Sequence, residues 1–125
     1  MTTNKYFVFT QNNANGCWIE DRWVGKRVIV EAHCADLANY IVEGAGMDFE
    51  DNCNCCGYRW HRQDDQDAMN ADQVDAYVLD WIKHYRTDAT SLRVYPEGYD
   101  LPLCFNGVLE IDTYFANDNV ETMPL

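Results

Sequence analysis

The sequence predicts an α+β fold: a two-layer sandwich whose mostly antiparallel sheet carries two helices on one face, with a cysteine-containing β-knuckle attached. Three observations carry this expectation. Apolar residues recur at helical spacing in two stretches, from Cys34 to Ala45 and from Val74 to Tyr85. Other stretches are β-branched and aromatic runs bounded by Asn, Gly or Pro. Between the helices, Cys53-Asn54-Cys55-Cys56-Gly57-Tyr58-Arg59-Trp60-His61 gathers three thiols, a turn glycine and an imidazole.

In chain order, Lys5-Tyr6-Phe7-Val8-Phe9-Thr10 is built of strand formers, and the Asn and Gly of Gln11 to Gly16 mark a loop after it. Trp18 to Val24 reads as a short irregular edge segment, and Lys26 to Ala32 as a second strand. Cys34, Leu37, Ala38, Ile41 and Ala45 then fall on one helical face, with Asp36 in the first turn and Gly44 or Gly46 placed to end the helix. That helix is expected from Ala35 to Val42 or slightly beyond. Met47-Asp48-Phe49 is expected to be extended, leading into the cysteine turn, and Tyr58 to His61 to alternate as a strand leaving it. Gln63 to Asp67 reads as a solvated acidic loop.

The strongest helical pattern follows. Val74, Tyr77, Val78, Trp81, Ile82 and Tyr85 lie on one side and Asp72, Ala76, Asp80, Lys83 and Arg86 on the other. An amphipathic helix needs such a face to bury, so Trp81 is assigned to the core. Ser91 to Tyr95 is a strand closed by Pro96-Glu97-Gly98, and Leu101 to Phe105 and Val108 to Thr113 flank a turn at Asn106-Gly107. The polar tail 116–125 is expected to fray. A ferredoxin-like strand order is one candidate for the sheet.

At 125 residues the chain fits a single domain, 1–125, and 47% hydrophobic with 14% aromatic residues is far too apolar for a disordered chain. The N-terminus shows no basic and apolar leader pattern and no stretch is apolar enough to cross a bilayer, so a cytoplasmic protein without membrane contact is expected. In a reducing cytosol the six cysteines read as free thiols or metal ligands, with Cys17, Cys34 and Cys104 as small core residues. A net charge of −12 argues against gripping phosphate backbones directly. It suits attraction to basic surfaces on other proteins.

Cys53 and Cys56 have the spacing that lets two sulfurs reach one tetrahedral ion, with Gly57 free to take positive φ. One reading is a structural zinc held by Cys53, Cys55 and Cys56 with His61, or with a distant His33, Cys34 or His84. A second is three reduced thiols in a tight turn, and a third a reactive thiol beside Arg59 and His61, for which no paired base or oxyanion hole is visible. Of Arg59 and Trp60, strand alternation sends one inward; Trp60 is the better core residue, leaving Arg59 to an acidic neighbour. The functional alternative is an aromatic and basic patch of Trp18, Arg22, Trp23, Arg27, Arg59 and Trp60, with Lys26 beside it, suited to a small anionic, nucleotide-type ligand.

The opening Tyr6-Phe7-Val8-Phe9-Thr10-Gln11-Asn12-Asn13, the Val28 to Ala32 strand before a helix containing Ala38-Asn39, and Cys53-x-Cys55-Cys56-Gly57-x-Arg59-Trp60 resemble a family of small tailed-bacteriophage proteins. The likeness covers about the first half of the chain and departs from the family pattern at Tyr58, where an acidic residue is usual. It implies a phage accessory protein made in an infected bacterium, with no family activity to carry over. The leading function is therefore non-catalytic: binding and modulating a host macromolecule, in host takeover or anti-defence, through an acidic, nucleic-acid-like surface. Asp48, Glu50, Asp51, Asp64, Asp65 and Asp67, continued by Asp72, Asp75 and Asp80, supply its charge.

Overall fold

The computed structural model describes residues 5–12, 18–53, 57–85, 91–98, 102–105 and 120–122. A central sheet is built from β1 (Lys5–Thr10), β2 (Arg27–Ala32) and β5 (Leu92–Tyr95), extended by the short β6 (Leu103–Phe105) and β7 (Val120–Thr122). Two helices, α1 (Ala35–Gly44) and α2 (Ala71–Tyr85), and a small ribbon of β3 (Asn52–Cys53) and β4 (Gly57–Tyr58) complete the fold. Strand order is β1-β2-β5-β6-β7; only β2 and β5 run parallel, every other pair being antiparallel. The α+β class and the mostly antiparallel sheet stand, and the strand order is not ferredoxin-like.

Alternation along the strands corrects the layering. Phe7, Phe9, Val28, Val30, Ala32 and Tyr95 pack with Ala35, Ala38 and Val42 of α1. Tyr6, Val8, Ile29, Leu92 and Val94 pack with Val74, Val78 and Trp81 of α2. The two helices therefore cover opposite faces of the sheet, in three layers instead of two. The physical reason is the apolar runs themselves: Phe7-Val8-Phe9 and Val28-Ile29-Val30 have no polar face to turn to water, and both sides are buried.

The chain changes faces by passing round the outer edge of β1. After α1 it runs back along that edge, where Asn12 donates its amide to the Arg59 carbonyl and Tyr6 and Met69 exchange two backbone hydrogen bonds. It then enters α2 on the far side. α1 begins at an amide held by a side chain from thirty residues on: Asp65 Oδ1 accepts the Ala35 N–H at 2.8 Å, while the N-cap Cys34 makes no side-chain cap. The helix runs two residues past Val42 and reverses at Gly46, whose φ of +104° suits glycine. α2 is opened by reciprocal bonds between Asn70 and Gln73, each 2.8 Å, a capping box.

The remaining local expectations have different outcomes. Met47 and Phe49 both face the α1-side core, the alternation expected of a short extended piece, and a turn closed by the Asp51 N–H on the Asp48 carbonyl follows directly. Part of the tail expected to fray, Val120–Thr122, pairs with β6, its backbone satisfied by the ladder in place of water. The turn at 106–107 and the strand expected at 108–113 lie outside the described residues.

Trp81 is 5% exposed, as its place on the helical stripe predicts. Trp81→Ala is expected to lower stability by about 3–5 kcal/mol in chemical denaturation, in line with large aromatic truncations in cores. A loss of a few tenths would mean that this face of α2 does not pack on the sheet.

Candidate functional site

A buried polar node organises the end of β1. Arg59 is 3% exposed, and its Nε donates to Asp51 Oδ2 at 2.6 Å while Nη1 donates to Gln11 Oε1 at 3.0 Å. Gln11, itself buried, grips the loop that follows β1: its Nε2 donates to the carbonyls of Ile19 and Gly25, and its Oε1 also accepts the Ile19 N–H at 2.7 Å. Gly25 is required here, since a Cβ would lie 2.0 Å from the Ser91 carbonyl oxygen. Backbone bonds reinforce the node, Arg59 N–H to Asp51 O and Asn12 N–H to Arg59 O, and Asn12 Nδ2 reaches the Tyr58 carbonyl at 3.2 Å. Residues 11 and 12 thus fasten the 18–25 loop and the β3–β4 ribbon to one strand end.

Around this node the aromatic and basic residues separate. Trp60 is buried in the α1-side core, and Arg59 pairs with an acidic neighbour as expected. Neither is a surface group. Tyr58 to His61 does not alternate, because β4 ends at Tyr58 and the chain bends at Arg59, turning both Arg59 and Trp60 inward. Arg27 lies on the α2 side, its guanidinium 5.2 Å from the Trp81 ring centroid and its Nε donating to Tyr77 Oη at 2.9 Å. Trp23 is half-buried against the α1-side core, its carbonyl accepting from Tyr95 Oη. Only Trp18 and Arg22 of the six are exposed, with the Lys26 ammonium 5.1 Å from the Trp18 ring centroid. The structure does not assemble the six into one surface.

Cys53 is half-buried in β3, and Gly57, at φ +81°, opens β4. Cys55 and Cys56 lie outside the described residues. His61 is exposed and packs edge-on against Tyr58, ring centroids 6.3 Å apart. Among the described residues no three His, Cys, Asp or Glu side chains come together as metal ligands.

The acidic residues divide differently. Asp48, Glu50, Asp64, Asp65, Asp67, Asp72 and Asp80 are exposed, while Asp51 is taken by Arg59. Asp75 is half-buried, its Oδ1 lacking a hydrogen-bond partner, and burial, then the nearby Asp72 charge, pushes its carboxyl pKa up. The loop read as merely solvated carries structure. Asp64 and Asp67 form a reciprocal capping box over the 3-10 turn Asp65–Asp67, and Asp65 caps α1. The spacing of Asp64 and Asp67 is the sequence signal for that box. The long-range cap by Asp65 has no sequence signal.

A family model described as a domain of unknown function (DUF7296) matches residues 4–104, and the chain belongs to that family. The match spans β1 to β5 and takes in the whole Gln11, Asp51 and Arg59 node. No curated protein and no solved structure matches the chain.

Asp51→Ala would leave the Arg59 guanidinium buried with one charged partner gone, and is expected to cost about 3 kcal/mol in urea unfolding. Replacing Arg59 by Met in the same chain should return part of that loss, and a double variant no better than Asp51→Ala alone would show that the charge was never the problem. The metal reading has its own measurement. Elemental analysis of protein purified under reducing, chelator-free conditions is expected to give one zinc per chain if the knuckle holds metal, with Cys56→Ser releasing it and lowering Tm. Well under one zinc ends that reading.

Proposed function

We propose that this DUF7296 member is a non-catalytic bacteriophage accessory protein that binds and modulates a host macromolecule in the cytoplasm of the infected bacterium. Its acidic surface stands in for nucleic acid, in host takeover or anti-defence. The observation that supports the reading is the fate of the cations between Asp48 and Asp80. Arg59 is buried against Asp51, and Arg62 is paired with Glu43 at 2.6 Å, so among the described residues neither of the span's arginines forms an ion pair with any of its seven exposed carboxylates. A chain at −12 carrying such a surface steers basic partners toward it and repels anionic ones. Among the described residues no helix is long and apolar enough to cross a membrane.

A second reading, capture of a small anionic nucleotide-type ligand, draws on Trp18, which is 40% exposed beneath the Lys26 ammonium. The geometry supports it less, because Arg59 and Trp60 are interior.

The test must spare the acids that cap structure. Glu50→Gln, Asp72→Asn and Asp80→Asn together change charge on exposed positions and are expected to move stability by no more than about 1 kcal/mol. Capture of a basic host protein on immobilised chain should weaken in this variant and weaken further with salt, over a Debye length of roughly 8 Å near physiological ionic strength. Capture indifferent to both charge and salt, or nucleotide quenching of tryptophan fluorescence that is lost in Trp18→Ala, would overturn the acidic-surface reading.

A further inference from the structure

Among the described residues, the backbone of the segment from Arg59 to Met69 hydrogen-bonds the outer edge of β1 at its two ends only. Asn12 bonds Arg59 at one end and Tyr6 bonds Met69 at the other, so the nine residues 60–68 span what the five residues 7–11 span on β1. Four extra residues cannot lie in a regular ladder, and they bulge away. Since Tyr6 turns its amide and carbonyl outward, so do Val8 and Thr10, two and four residues on. Among the described residues neither finds a backbone partner across that edge.

What holds the bulge is α1. Ala35, Asn39 and Glu43 are spaced by four and so form one stripe of the helix. The segment runs antiparallel along it: Asp65 accepts the Ala35 N–H, Asn39 exchanges two hydrogen bonds with the Gln63 backbone at 2.9 and 2.8 Å, and Glu43 pairs with Arg62. All these contacts are polar. Between Trp60 and Ala68 no residue is buried, although Arg62 also lies over the Phe49 ring at 4.6 Å. Net of the water contacts they replace, hydrogen bonds and an exposed ion pair contribute little each, and segments without buried apolar side chains open locally well before the core does.

We propose that residues 61–67, between the core-packed Trp60 and Ala68, are a strap that detaches as a unit from the Ala35, Asn39 and Glu43 stripe of α1, and that its detachment releases the Tyr6 and Met69 bridge and uncovers the outer edge of β1. The α1 stripe thereby controls access to a strand edge that the fold otherwise keeps closed.

Residue-resolved amide exchange by NMR on the full chain tests this. In the native protein the Tyr6 and Met69 amides are expected to exchange faster than those of Phe7 and Phe9, which pair into β2. Asn39→Ala should raise exchange at Tyr6 and Met69 on the order of tenfold while Phe7 and Val30 stay unchanged. Asn39 is buried, so Glu43→Gln at an exposed position provides the second variant, with a few-fold rise of the same pattern, mimicked in the native chain by high salt. If Tyr6 and Met69 exchange only together with Phe7 and Phe9, in the native chain and in the variants, there is no strap.

Discussion

A guanidinium removed from water imposes its requirements on everything around it. Arg59 sits 3% exposed, and an arginine there is tolerable only when its donors are met by well-placed acceptors. Those acceptors come from separate parts of the chain: Asp51 ahead of the ribbon and Gln11 at the end of β1, with Gln11 passing the constraint on to Ile19 and Gly25. One buried cation therefore fixes the relative placement of a strand end, a loop and a hairpin. Replacing such a network with apolar groups is often neutral or favourable in stability terms, so its effect here is geometric: it permits a single arrangement of these three segments.

The second constraint is a sheet that is apolar on both sides. Burying β1, β2 and β5 on two faces demands a helix for each, and a single chain reaches both faces only by going round an edge. The crossing at β1 is made by a polar, acidic segment tied to α1 by a helical stripe of Ala35, Asn39 and Glu43. An apolar crossing would have sealed the edge permanently. The polar one leaves the most acidic part of the chain on the surface and held by contacts of modest strength. Fold and proposed function meet in that segment: Asp64, Asp65 and Asp67 both contribute to the acidic surface and close the 3-10 turn and the first turn of α1.

Much was legible in the residues alone because it depends on local periodicity. β1 falls on Lys5–Thr10 as read, and α2 and α1 lie within two residues of their patterns, since β-branched alternation and a 3.6-residue stripe are properties of adjacent positions. Trp81 and Trp60 belong to the core for the same reason, being large apolar groups on faces that must be buried. The pairing of Arg59 with an acid is expected of a cation set among acidic neighbours, and the −12 charge and its span from Asp48 to Asp80 are plain counts. The identity of that acid, the side on which each helix packs, the burial of Arg59 beside Trp60, the removal of Arg27 to the α2 side and the cap of α1 by Asp65 are set by contacts between residues tens of positions apart. Those contacts are selected by the competition of all the chain's apolar surface for burial and of its polar groups for partners, and no local spacing encodes the outcome.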